Sequence, residues 1–112
     1  MTVTVVRYQT KPECADENQG LIEAVFAELA DTRPDGLRYA SFRLADGVTF
    51  VHVASVETDD GHNPLTDAAA FQAFARDVGG RCVDAPVALQ GTVVGSYAFP
   101  FVVDAHAKGD AA

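Results

Sequence analysis

Tryptophan is missing from this chain of 112 residues, cysteine occurs twice, and acidic residues outnumber basic ones by 16 to 8. The resulting net charge of -8 works against any surface that has to neutralise nucleic-acid phosphates or anionic lipid headgroups. Nucleic acid is therefore not an expected partner. Cys14 and Cys82 are too few and too far apart for a disulfide framework or a zinc site, and three scattered histidines add no ligand spacing. Free thiols and no metal are expected. No apolar run approaches the roughly 20 residues that span a bilayer. The opening Met1-Thr2-Val3-Thr4-Val5-Val6 also lacks the basic start of a signal peptide, so no membrane partner and a cytoplasmic setting are the expectation. GxSxG, P-loop, dinucleotide and HExxH patterns are all absent, which removes the commoner hydrolase, nucleotide and zinc-protease readings. Asp59-Asp60-Gly61-His62-Asn63 lacks the regularly spaced oxygen ligands of a calcium loop and reads as a solvated loop.

What is present is ordinary globular composition, 48% apolar and 21% charged, at a length that supports one core. Thr2 to Gln9 is β-branched and aromatic and stops at Lys11-Pro12, which predicts a first strand. Acidic residues after Cys14 open a helix whose Leu21, Ile22, Val25, Phe26 and Leu29 fall on one face, ending before Arg33-Pro34-Asp35-Gly36. Leu37 to Leu44 and Val48 to Glu57 flank Asp46-Gly47 as a hairpin. A second helix is predicted from about Thr66 or Asp67 to Val78, stopped by Gly79-Gly80. Arg81 to Leu89 reads as a short helical turn interrupted by Asp84-Ala85-Pro86, and Gln90 to Phe99 as strand four. The order is β-α-β-β-α-β: an α+β fold, the ferredoxin-like split βαβ with an antiparallel sheet and both helices on one face. Residues 1–99 form the domain in this reading, and 100–112 a partly flexible tail.

A sheet covered on one side should alternate apolar with polar residues. Here both parities are mainly apolar: Phe50, His52, Ala54 and Val56 against Val51, Val53 and Ser55, and Val3 and Val5 against Val6 and Tyr8. The last strand, with Val93, Tyr97 and Phe99 against Val94 and Ala98, repeats the pattern. Soluble monomers seldom expose such a patch, so a homodimer is expected, unless the Phe99-Pro100-Phe101-Val102-Val103 segment folds over that face instead.

The element order and three local patterns resemble the antibiotic biosynthesis monooxygenase-like family of dimeric α+β barrels. The residues that carry the resemblance are Val3-Thr4-Val5-Val6-Arg7-Tyr8, Phe50-Val51-His52-Val53-Ala54-Ser55-Val56-Glu57 and Ala70-Phe71-Gln72-Ala73-Phe74, within roughly residues 2 to 99. The resemblance implies a cleft between sheet and helices in which small aromatic polyketides are oxygenated without metal or flavin. A haem-cleaving branch of such proteins uses a tryptophan, an asparagine and a histidine. A chain with no tryptophan, and with Arg7 and Tyr8 in its first strand, departs from that branch.

Among single residues His52 stands out as the candidate catalytic group, because an imidazole in an apolar strand needs a fixed partner or a cleft. A satisfied core or interface histidine is the alternative. Tyr8, Tyr39 and Tyr97, with a polar tip on an aromatic body, and Phe71 and Phe74 on helix two are the candidate lining for a small apolar or aromatic ligand. Arg7, Arg38 and Arg43 could meet an acidic substrate or lie along the sheet edges. Three functions stay open: a cofactor-independent oxygenase, a non-catalytic ligand-binding or accessory protein, and an interaction module whose business is dimerisation.

Overall fold

A computed structural model describes residues 2 to 99 of the chain. β1 (Thr2–Thr10) runs into a 3₁₀ turn opened by Pro12, and α1 (Ala15–Thr32) follows. Asp16 and Glu17 in its first turn offset the positive end of the helix dipole. Asn18, Ile22 and Val25, spaced by four and three residues, form its buried stripe. Arg33 ends it in the left-handed conformation, its N–H bonded to the Leu29 carbonyl at 2.8 Å. Gly36 then turns the chain at a φ of 78°, where a Cβ would come within 2.6 Å of the Glu57 carbonyl oxygen, so only glycine fits.

β2 (Leu37–Arg43) and β3 (Thr49–Val56) make the expected hairpin. Its turn is held by the Asp46 carboxylate, which accepts bonds from the Val48 and Thr49 N–H groups and the Thr49 hydroxyl; those bonds hold its carboxyl below the usual range. Asn63 caps a second 3₁₀ turn (Pro64–Asp67) through the Leu65 N–H. α2 (Ala69–Arg76) lacks a cap of its own. The Glu28 carboxylate of α1 supplies one, accepting from the N–H groups of Ala69 and Ala70 at 3.1 and 2.9 Å and so tying the two helices together. The one-turn helix α3 (Val78–Arg81) leads directly into β4 (Cys82–Thr92).

The four strands form one antiparallel sheet in the order β2-β3-β1-β4. Side chains directly opposite in register share a face, so Ser41, His52, Val6 and Ala88 form one row across the sheet, and Tyr39, Ala54, Thr4 and Gln90 the next. On this face Tyr8 and Phe50 pack with Ile22 and Val25 of α1, with Leu65, and with Phe74 of α2, making the core. The α+β class, the element order and the antiparallel sheet match the reading from sequence.

Two boundaries do not. Strand four is not Gln90 to Phe99 but Cys82–Thr92, and the segment expected to hold a helical turn broken by Asp84-Ala85-Pro86 is its first half. Proline is tolerated there for two reasons. β4 is an edge strand, and Ala85 and Pro86 fall in a bulge, where the register steps from Val87 opposite Arg7 to Asp84 opposite Gln9. The second correction is that helix two is divided, and Gly79-Gly80, expected to stop it, lies inside α3. Val93, Val94, Tyr97, Ala98 and Phe99 therefore follow the sheet rather than form part of it, while the expected tail, 100–112, lies outside the described residues.

Candidate functional site

A cavity of about 440 Å³ opens between the sheet and the α2–α3 segment. Its floor is Thr2, Thr4, Val6 and Tyr8 of β1, His52, Ala54 and Val56 of β3, Tyr39 of β2, and Pro86 and Gln90 of β4. Its roof is Asn63, Leu65, Phe71, Phe74, Ala75 and Val78. No Asp, Glu, Lys or Arg is among these lining residues, so the cavity suits an uncharged ligand with a large apolar surface.

At its wall His52 is only 4% exposed, and both ring nitrogens are engaged. Nε2 lies 2.8 Å from the Tyr8 hydroxyl; Nδ1 lies 2.6 Å from the Tyr39 hydroxyl and 2.8 Å from Ser41 Oγ. The register explains the meeting, because Ser41 faces His52 directly and Tyr39 and Tyr8 stand one row to either side. Rings sandwich the imidazole: the centroids of Tyr8, Phe74 and Tyr39 lie 5.3, 5.4 and 5.8 Å away. Phe26 stacks on the far side of Tyr39 at 5.0 Å.

Burial decides the charge states. Loss of water pushes the His52 imidazolium down to about 4, so the ring is neutral at physiological pH. It pushes the Tyr8 phenol well above its usual range, against the opposing pull of the bond from Asn18, and raises that of Tyr39 as well. Both phenols keep their protons.

Of the residues singled out from sequence, Tyr8, Tyr39, His52, Phe71 and Phe74 come together around this one space. Tyr97 does not. It is 91% exposed in the segment after β4 and stands among Val93, Gly95, Ser96 and Phe99, a consequence of the strand boundary corrected above. Arg7 faces away from the cavity, Arg43 pairs with Asp16 at 3.0 Å and bonds Gln19, and Arg38 pairs with Glu57. Both thiols are free, and burial raises that of Cys82. Among the described residues no three His, Cys, Asp or Glu side chains are grouped to hold a metal ion, and no helix is long and apolar enough to cross a membrane.

Sequence reasoning missed Asn18, Ser41 and Arg81. Asn18, with no exposed surface, donates from Nδ2 to the Tyr8 hydroxyl at 2.9 Å and accepts from Arg81 Nε at 3.0 Å. Arg81, 5% exposed, also donates to the Phe74 carbonyl at 2.8 Å and lies over the Phe74 ring. The signal for Asn18 was available, since it falls on the same helical stripe as Ile22 and Val25. A polar group there needs buried partners.

No family model and no curated protein matches the sequence. Solved structures do. Rv0793 from Mycobacterium tuberculosis is 16% identical with a TM-score of 0.66, over 85% of this chain and 96% of that one. A solved antibiotic biosynthesis monooxygenase is 15% identical with a TM-score of 0.65, over 85% of this chain and the whole of the other. A variant of SnoaB, a cofactor-independent oxygenase from Streptomyces nogalater, is 16% identical with a TM-score of 0.63, over 88% and 97%. At such identities what is shared is architecture, and this chain has the fold of the antibiotic biosynthesis monooxygenase-like proteins.

Proposed function

We propose that the protein is a small monooxygenase-like enzyme that binds an uncharged aromatic or polyketide-like compound in the cavity above β1 and β3 and oxygenates it without metal, flavin or haem. One observation carries the reading: a cavity of about 440 Å³, free of charged side chains, has a buried neutral imidazole hydrogen-bonded to two tyrosines at its wall. The cofactor-independent oxygenase among the solved structures of this fold supports it. An electron-rich ring system can reduce dioxygen itself once it has lost a proton. The net conversion of a ring CH₂ and O₂ to a carbonyl and water balances without another reductant. The protein's contribution is to hold the ring flat between Phe71, Phe74 and the sheet, to keep water out, and to receive the proton. His52 is the candidate acceptor, because a neutral imidazole has one nitrogen lone pair.

A second reading is a non-catalytic ligand-binding or accessory protein, favoured by the fact that neither ring nitrogen of His52 is bare. An oxygen electrode separates the two. With anthrone as probe and a chelator present, the enzyme reading predicts uptake of one O₂ per anthrone, abolished in His52→Gln. Anthrone bound without oxygen uptake favours the accessory reading, and no binding removes both.

The proposed partner is a second copy of the chain, in the cytoplasm. The sheet face turned away from the helices presents the rows Ala40, Val53, Val5, Leu89 and Phe42, Val51, Arg7, Val87. Phe42, Val87 and Leu89 are exposed, Leu89 by 67%, and a sheet-to-sheet homodimer would cover them and complete the α+β barrel.

A further inference from the structure

The chain's two cysteines are 68 positions apart in sequence, yet the fold brings them to one corner of the molecule. Cys82 opens β4 opposite Thr10 of β1. Thr10 has no exposed surface, so Cys82 lies on the side of the sheet that α1 covers, where it packs against the core. The carbonyl of Arg81, the residue before it, accepts from the Lys11 N–H at 2.8 Å, and the Lys11 carbonyl accepts from the Cys14 N–H at 2.9 Å. Two backbone bonds thus bridge the short path from one cysteine to the other. The side chains follow the same path. Cys14 precedes Asn18 by one helical turn and shares its face of α1, while Asn18 bonds Arg81 at 3.0 Å. Burial is the main cause that raises the Cys82 thiol. Arg81 pulls the other way, and Asp84 and Cys14 add smaller increments, which a thiol does only from close by.

We propose that Cys14 and Cys82 are a reversible dithiol–disulfide pair, closed by a peroxide and reopened by small thiols, that latches the first turn of α1 to the start of β4. Both residues are half-buried, which admits a small oxidant and shields each sulfur from a second protein molecule. One thiolate attacks the O–O bond of hydrogen peroxide, giving a sulfenic acid and water. The other thiol attacks that sulfur, forms the S–S bond and releases a second water. The two thiols lose two electrons and two protons, and the peroxide takes both. In a reducing compartment the pair rests as thiols and closes only when oxidant rises. The latch falls beside the Asn18–Arg81 bond, in the network that also holds the Tyr8 hydroxyl and the Phe74 carbonyl. It does not depend on what the cavity binds.

The test treats the reduced full chain with hydrogen peroxide, blocks remaining thiols by alkylation and digests it with trypsin without reductant. Mass spectrometry should show the peptide carrying Cys14 joined to the one carrying Cys82, lighter by two hydrogens than the sum of its halves and separated again by dithiothreitol. The oxidised chain should run as the same oligomer and melt at least about 5 °C above the reduced one, because the bond closes a long loop in the unfolded state. Cys82→Ser should abolish the link and the rise in melting, and its Cys14 should go on to sulfinic acid. Across glutathione buffers of graded ratio, both wild-type thiols should disappear together in one two-electron step. Thiols that stay open to alkylation or oxidise separately to sulfinic acids would overturn the proposal. So would a bond formed only between chains, or a linked chain that melts no higher than the reduced one.

Discussion

Acid should destabilise this protein through His52 in a pH window set by its burial. In the unfolded chain the imidazole titrates at its ordinary 6.5, and in the fold at about 4. Between those values the unfolded state binds a proton that the folded state refuses, so stability rises with pH across the window. The contribution is complete above 6.5 and is lost as pH falls through about 4. The gap is worth about 3 kcal/mol in all, of which about 2 kcal/mol is gone by about pH 5. His62 works in the opposite sense. Its bond to Asp67 at 2.8 Å, and that carboxylate's charge, raise its pKa, so its contribution is present below its ordinary value and fades as pH rises through the raised one. His52→Gln removes only the first titration, and carboxylates and His62 are common to both proteins. Urea unfolding followed by circular dichroism at about pH 7.5 and about pH 5 should show the wild type losing about 2 kcal/mol more than the variant. Losses that run parallel within about 0.5 kcal/mol would refute the reasoning.

Asn18→Leu leaves the Arg81 Nε–H without its partner inside the protein and removes a donor from Tyr8; urea unfolding should show a loss of about 2 to 3 kcal/mol, and a loss below about 0.5 kcal/mol would mean the network adds little. Val53→Asp places a carboxylate in the middle of the outer sheet face. Sedimentation should show the wild type as a dimer and the variant as a monomer; a dimeric variant with unchanged melting would move the interface elsewhere.

Most of the scaffold was legible because local signals agreed. Asp46-Gly47 between two apolar runs is the hairpin, and the i, i+4, i+7 stripe of α1 is its buried face. Strand four was misplaced because Pro86 obscures a strand by local propensity, while the pairing of β4 along β1 that tolerates it is a long-range fact. That error took Tyr97 with it. His52 and the lining tyrosines could be singled out because polar tips in apolar strands are conspicuous. Arg81 could not, because its partner Asn18 lies 63 residues away and only the packing of α3 beside α1 brings them together.

The central claim, that the space between sheet and α2 holds a neutral aromatic ligand, is tested most directly by methyl NMR during titration with 9-fluorenone. Ring currents from a ligand seated there should shift the methyls of Val6, Val56, Leu65 and Val78 and leave Val87 and Leu89 of the outer face unmoved. Shifts confined to Val87 and Leu89, or none at saturating fluorenone, would contradict the account.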